Sequence, residues 1–494
     1  MSQLLEQLYA VVWGAPALIL ILGVGLYLSL RTGFVQLRLF KRAGIDFLRR
    51  LRPGSTSDRG ISPFQALCTA LAATVGTGNL AGVAGAITIG GPGSIFWMWI
   101  CGLFGMVIKL AEAALSVRFR VQENGEFLGG PMYMISRGMK KPWMWLGTLY
   151  SFFGVIAALG VGNATQVNAV LTGINDCIRS FGGMPSGSLD LILGSVMAVL
   201  VLVLLLGGAK GIGRITESLV PFAATAYLLL GTLVLILRFD AIPTAFGMIF
   251  KGAFSPEAVT GGFVGSFMAT LRVGVSRGVF TNEAGMGTAG IAHAGANVGH
   301  PMEQGLMGII EVFLDTIVIC TMTALVILCS GLAVPYGVTV GAELTMESFA
   351  LVLGDWVRIL ITLSLCLFAF ATVLGWGLYG ARCAQYLFGK KAWKSFAILQ
   401  GVTVVLGAIL KTGTVWLLAE IINGLMSIPN LIALIVLSPE LSRLIKDFQR
   451  KPGTAGGGTL CKYPSTQIAA SPHPCGNSTP MRWQPRHRAK KYTT

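Results

Sequence analysis

Mostly apolar stretches of membrane-crossing length recur eleven times along the chain, near residues 11–30, 64–89, 94–117, 144–170, 189–206, 215–237, 258–280, 304–330, 357–387, 393–410 and 414–438. A bilayer core of roughly 30 Å takes about 20 residues of helix. The runs are too long for barrel strands and lack their period-two alternation. The pattern predicts an all-α integral membrane protein with about eleven transmembrane helices. Setting aside residues 1–33 as an extra N-terminal helix, the rest divides into two sets of five, 63–237 and 245–442. Each set opens with a span interrupted by glycines. The first of these reads PFQALCTALAATVGTGNLAGVAGAITIGG, where Val75-Gly76-Thr77-Gly78-Asn79 sets two glycines beside a hydroxyl and an amide. Helix propensity falls by about 1 kcal/mol for each Gly relative to Ala, so a break is expected there. Close helix packing through Gly78 and Gly82 is the alternative. The second begins VTGGFVGSFMATLRVGVSRG and is expected to be interrupted at Gly261, Gly262, Gly265 and Ser266. An odd number of spans per set makes the second set inverted across the membrane. Interrupted helices at matching places in two inverted halves are the sequence pointer to a transporter's binding site.

Composition agrees with the pattern. Of 494 residues, 54% are hydrophobic and 12% charged, with a mean hydropathy of +0.72. A soluble domain carries about a quarter charged residues, so a soluble enzyme, a disordered scaffold and a secreted disulfide protein are all poor fits. The net charge of +16 invites a nucleic-acid reading, and the placement of the charges removes it. Taking alternate loops as cytoplasmic, Lys and Arg number 8 in 31–63, 5 in 118–142, 2 in 207–214, 2 in 271–300, 4 in 381–394 and 10 in 443–494, which is 31 of 37. The positive-inside rule then sets the N-terminus outside and the C-terminus in the cytoplasm of a multi-pass cell-membrane protein. No nucleic-acid partner is expected. Within the basic segment 34–62, residues 34–50 (FVQLRLFKRAGIDFLRR) place Phe34, Leu37, Phe40 and Phe47 near one helical face. That suits an interfacial helix resting on anionic membrane lipid, or a plain connecting helix that is basic. The tail, 443–494, is also basic; from 451 onward it holds seven Lys/Arg and no acid amid Gly, Pro, Ser and Thr, and disorder is expected. Its abrupt composition suggests a shifted reading frame, which sequencing the 3′ end of the gene tests. The nine cysteines stand singly and form no CxxC, so free thiols packed as small apolar side chains are expected.

An unwound helix centre offers free N–H groups at the start of one half-helix, which suit a carboxylate. It offers carbonyls at the end of the other half, which suit a desolvated cation. A zwitterion uses both. Thr77, Gly78 and Asn79 are the expected substrate contacts on the first break. In the fourth span, GVGNATQVNAV carries Asn163, Gln166 and Asn168 amid apolar residues, where hydrogen bonding between helices is the alternative. Gln166 is preferred for the site. In FAFATVLGWGLYG, Thr372 is placed to coordinate a cation and Trp376 to wall a small pocket, or simply to pack. Glu112, Glu311, Asp315 and Glu420 lie in or near spans, where an acid is costly and so a functional candidate. His293 and His300 read as ordinary loop residues, and Glu283 as structural. Neither a nucleophile–base pairing nor a P-loop is found, since GGAKGIG (207–213) lacks the context. A transporter is expected rather than an enzyme, with an enzyme acting on a lipid-linked substrate, or a channel, as alternatives.

The runs LAATVGTGNLAGVAGAITIGGPGSIFWMW (71–99), GVSRGVFTNEAGMGTAGIAHA (274–294) and FAFATVLGW (368–376) resemble the alanine/glycine:cation symporters over roughly residues 1–445. That family imports small neutral amino acids with Na+ or H+ on a leucine-transporter-type inverted-repeat fold of eleven helices. The resemblance implies that Thr77, Gly78 and Asn79 bind substrate, joined by Gln166 and Trp376. It also implies a Na+ site made of carbonyls at Ala72, Val75 and Phe368 with the hydroxyl of Thr372. No other cofactor is implied. Relatives often carry a Ser-Thr pair where this chain has Ala371-Thr372, so one hydroxyl of that cation site is absent.

Overall fold

The computed structural model describes residues 7–8, 12–51, 60–123, 125–264, 266–409 and 413–450. The segment 451–494, with the disorder and frame expectations attached to it, lies outside them, as does Gly265. Among the described residues, eight helices are long and apolar enough to cross a bilayer, or nine when a pair bent by 51° is taken as one span. That pair is Pro63–Thr74 (α3) and the stretch from Gly78 to Gly90, a π turn at Gly78–Gly82 followed by Val83–Gly90 (α4). The other two segments expected to span are the 18-residue Ala15–Thr32 (α1) and the 16-residue Phe267–Asn282 (α10), both at the short end of what a bilayer requires.

After α1 the chain turns at Gly33 and Phe34, both with positive φ, into Phe40–Arg50 (α2). Phe40 and Phe47 face the protein here, against Phe313 and Phe64, and Ala43 is fully buried. The face left open carries Leu37, Lys41, Ile45, Leu48 and Arg49. The expected apolar face is thus split: Phe34 and Leu37 are exposed, while Phe40 and Phe47 turn toward the protein and Ile45 and Leu48 take their place on the open side. Arg50 pairs with Glu303 at 2.6 Å.

The helices that follow are Ser94–Arg118 (α5), Trp145–Leu159 (α6), Thr165–Ser180 (α7), Gly187–Leu206 (α8) and Gly208–Leu237 (α9). A hairpin, Val121–Glu123 (β1) antiparallel to Glu126–Leu128 (β2), follows α5. In the second half, the glycines at 261 and 262 do not interrupt a helix. Their positive φ values of 64° and 88° make the turn before α10, whose N-terminus is capped by Ser266 accepting from Ala269 N. The interruption comes after the 16 residues of α10, at Glu283–Gly287, where Glu283, Gly285 and Gly287 have φ of 53°, 96° and 79°. Helix resumes at Thr288–Ala294 (α11), then Pro301–Val312 (α12), a π turn at Phe313–Cys320, and Thr321–Cys329 (α13). Ala342–Leu353 (α14), Val357–Phe388 (α15), Ala392–Ile409 (α16) and Gly413–Arg450 (α17) complete the chain.

Burial separates core helices from their sheath. The membrane-length stretch of α5 is 83% buried within the protein, while those of α8 and α9 are 22% and 28% buried, leaving Leu, Val and Phe to face lipid, as a charge-poor exterior requires. Below the two breaks the chain is tied together by backbone. Ile61, just before α3, makes a parallel bridge to Ala296, just after α11, with Ile61 N donating to Gly295 O at 3.1 Å and Asn297 N to Ile61 O at 2.9 Å. Arg120 reinforces this end by donating to the carbonyls of Ala294 and Ala296, and its guanidinium lies over the Phe127 ring.

Candidate functional site

The first break follows from residue chemistry. Val75 leaves the helix for an extended conformation (φ −79°, ψ 97°), and Gly76 and Gly78 follow it with no side chain to favour helix. The last carbonyls of α3 then lack intrahelical donors. Asn79 takes up the freed amide instead of those carbonyls: its Oδ1 accepts from Gly76 N at 2.9 Å, and its Nδ2 donates to Asp315 Oδ1 at 2.7 Å and to the Asp315 carbonyl at 3.3 Å. Thr77 donates to Gln166 Oε1 at 3.1 Å, and Gln166 Nε2 donates to Val161 O. The residues expected at the substrate from the first break therefore reach across to the helix that begins at Thr165. Asn79 differs from its neighbours in that its side chain holds the unwound backbone in shape.

Helix α15 packs against this region by contacts that only glycine permits. A Cβ on Gly76 would lie 2.6 Å from Thr372 Oγ1, and one on Gly375 would lie 2.9 Å from Ala73 N. Thr372 donates to the Phe368 carbonyl at 3.0 Å. The chain segments carrying Ala72 and Val75 on one side and Phe368 and Thr372 on the other are thus in contact, and all four residues are buried. Their oxygens are neutral carbonyls and a hydroxyl, a set that suits a weakly held monovalent cation. Among the described residues no group of three or more His, Cys, Asp or Glu is arranged to hold a metal ion. Ala371 is buried and brings no hydroxyl to this place.

The second break meets the first. Trp376 Nε1 donates to Glu283 Oε1 at 2.8 Å, and Thr288 donates to Glu283 Oε2 at 2.7 Å. The indole packs on Gly162, within the π turn Gly160–Ala164 that precedes Gln166. Gly78 lies against Thr281, at the end of α10. A polar chain joins the two breaks through the π turn Phe313–Cys320: Asn282 Nδ2 donates to Thr316 Oγ1, Thr316 donates to Asp315 Oδ2, and Asp315 accepts from Asn79. Three π turns thus lie beside the breaks, at Gly78–Gly82, Gly160–Ala164 and Phe313–Cys320. Such turns are frequent at functional sites because they shift side-chain register within a continuing helix. The π turn also explains why Glu311 and Asp315, four residues apart, serve different partners.

One histidine here was read otherwise from sequence. His293 is no loop residue: it is buried in α11, with Nδ1 2.5 Å from Gln304 Oε1 and Nε2 3.1 Å from Glu311 Oε2. His300 does lie before a helix, and its ring accepts from Met302 N to cap α12. Glu283 sits in the break itself. Lys109 and Glu311 form a fully buried ion pair at 2.9 Å. Glu112 Oε1 takes three donors, Gly285 N at 2.9 Å, Gly287 N at 3.0 Å and Asn430 Nδ2 at 2.7 Å, and so stands in for the helical carbonyls the second break lacks. Asn163 donates to Gln400 O, an inter-helix bond of the kind weighed as its alternative. The signal for the charged group was present in the sequence, since an ionisable residue at membrane depth has to meet a partner; the partners themselves come from other spans.

Residues 1–457 match the profile described as the "Sodium:alanine symporter family". The sodium/alanine symporter AgcS of Methanococcus maripaludis is 43% identical, over 88% of this chain and 94% of its own. The probable sodium/glutamine symporter GlnT of Bacillus subtilis is 35% identical, over 91% of this chain and 92% of its own. Among solved structures, that of MhsT in complex with L-phenylalanine is similar in fold, with a TM-score of 0.55 at 16% identity, covering 81% of this chain and 100% of that one.

Proposed function

The chain belongs to the sodium:alanine symporter family, and from that premise we propose that it imports a small neutral amino acid, alanine or glycine, by alternating access about its two helix breaks. It is a multi-pass membrane transporter of leucine-transporter-type fold, and its activity is sodium-coupled amino-acid symport. The observation that carries the finer reading is the meeting of both breaks with Gln166, Thr372 and Trp376 in one buried place. In this reading Thr77, Gly78 and Asn79 take the carboxylate end of the amino acid, with Gln166 beside them. Trp376 limits the side chain to a small one. Na+ sits among the carbonyls of Ala72, Val75 and Phe368 and the hydroxyl of Thr372. The N-terminus lies outside and the C-terminus in the cytoplasm, and the open face of α2, with Lys41 and Arg49 beside Ile45 and Leu48, rests on anionic lipid.

Inward movement of one Na+ gains about 2.3 kcal/mol per 100 mV of membrane potential, plus its concentration gradient. That is enough to accumulate a zwitterion without ATP. Purified protein in liposomes is expected to concentrate labelled alanine when a sodium gradient is imposed. Uptake indifferent to both sodium and proton gradients would sink symport, and uptake following only the proton gradient would reassign the coupling ion. Flux that fails to saturate would favour a channel. A second test concerns the cation site alone. Ala371→Ser supplies a hydroxyl next to Thr372 and is expected to lower the Na+ concentration for half-maximal uptake about fivefold, the equivalent of about 1 kcal/mol for one further oxygen contact. An unchanged sodium dependence would remove position 371 from the site.

A further inference from the structure

The proposed amino-acid and sodium sites leave unused a set of buried charges around the second break. Four carboxylates, Glu112, Glu283, Glu311 and Asp315, are buried with one ammonium, Lys109, and one imidazole, His293. Lys109 and Glu311 neutralise each other, with His293 on the second oxygen of Glu311. Asp315 is held by Asn79 and Thr316, and Glu283 by Trp376 and Thr288, all neutral donors. Positive charge is therefore short in this interior, where an uncompensated carboxylate is expensive.

Glu112 shows where a further cation fits. Its Oε1 is saturated by Gly285 N, Gly287 N and Asn430 Nδ2, whereas its Oε2 is fully buried and accepts from nothing. The hydroxyls of Tyr150 and Tyr379 are also buried without a hydrogen-bond partner. Both tyrosines lie within electrostatic reach of Glu112 and Glu283, and the Tyr379 ring packs on Trp376 at 5.8 Å. One oxygen crowded with donors and one with none is the pattern of a carboxylic acid. Its carbonyl oxygen accepts, while the proton leaves Oε2 uncharged in a buried place that offers it no donor.

We propose that this chamber binds a proton, carried on Oε2 of Glu112, and exchanges it during the transport cycle. The same carboxyl holds Gly285 and Gly287, so proton occupancy and the shape of the second break are linked. When the break opens, the donors on Oε1 change and the proton's binding changes with them.

Infrared spectra of the purified protein in D2O test the bound proton directly, and this measurement does not depend on the symport reading. A carboxylic-acid C=O band is expected in the wild type at neutral pH and is expected to be lost in Glu112→Gln. A wild type without the band, or a band that survives the substitution, overturns the proposal. The linkage to transport rests on the symport reading and is measured as alanine uptake under a fixed sodium gradient across a pH series. Wild-type uptake is expected to fall as pH rises, and Tyr379→Phe, which leaves every contact of Glu112 Oε1 in place, is expected to displace that fall along the pH axis. A Tyr379→Phe profile that overlays the wild type removes the exchange step. Absence of sodium-driven uptake in the wild type at every pH overturns the symport reading instead and leaves the spectroscopic result standing.

Discussion

Lys109→Met is expected to destabilise the folded protein by about 3–5 kcal/mol, the cost of leaving one member of a buried ion pair unpartnered. Lys109 Nζ and Glu311 Oε1 lie 2.9 Å apart with neither side chain more than 1% exposed. Removing the ammonium leaves Glu311 with His293 alone. Glu311→Gln produces the mirror-image fault, an ammonium in a dry interior with a neutral amide beside it. The pair itself contributes much less than either single change removes, because both ions were taken out of water to form it. The double variant Lys109→Met, Glu311→Leu is therefore expected to unfold at a higher temperature than either single variant. Thermal unfolding in detergent or nanodiscs checks the order. A double variant less stable than both singles would show that the pair is worth more than its desolvation.

Asn79→Leu is the second large effect. The leucine keeps the volume but loses the acceptor for Gly76 N and the donor to Asp315. Each orphaned buried group costs about 1–3 kcal/mol, and the loss falls on a segment whose conformation is held by little else. The expected outcome is protein that still reaches the membrane but shows no sodium-driven alanine uptake in liposomes. Full activity in the variant would remove Asn79 from the site. Because the side chain shapes the break, sodium dependence and substrate dependence should fail together. A variant that kept normal sodium dependence and lost only amino-acid affinity would instead make Asn79 a direct contact and nothing more.

The first break was legible because its signal is local: Val75 to Asn79 combine two glycines with polar side chains in the middle of an apolar run, and no neighbour is needed to see it. The second was misplaced for the same reason. Gly261 and Gly262 form a denser glycine cluster than Gly285 and Gly287, yet the cluster serves a turn, while the true break is set by Glu283 in a left-handed conformation and by Glu112 supplying acceptors from another helix. Such a partner, more than 170 residues away in sequence, leaves no periodic trace. His293 was misread by the same limitation: it falls beyond the seventh apolar run and so reads as loop, and only the approach of α12 brings Glu311 and Gln304 to its ring. The bias of Lys and Arg toward alternate loops is a count along the sequence and needs no knowledge of pairing. The hydrophobic face of α2 was half readable, since periodicity finds a stripe but does not say whether protein or lipid lies against it.

The bridge between Ile61 and Ala296 bears on how faithfully the carrier works. It fastens the entrance of α3, whose upper end belongs to the proposed cation site, to the exit of α11, whose start holds Glu283 through Thr288. A swing of α3 that left α11 behind must break two backbone hydrogen bonds and expose their groups. The two lower half-helices therefore behave as one mechanical part. A leak, in which an ion slips through while its passenger stays put, requires them to part company, and the bridge makes that the costlier path.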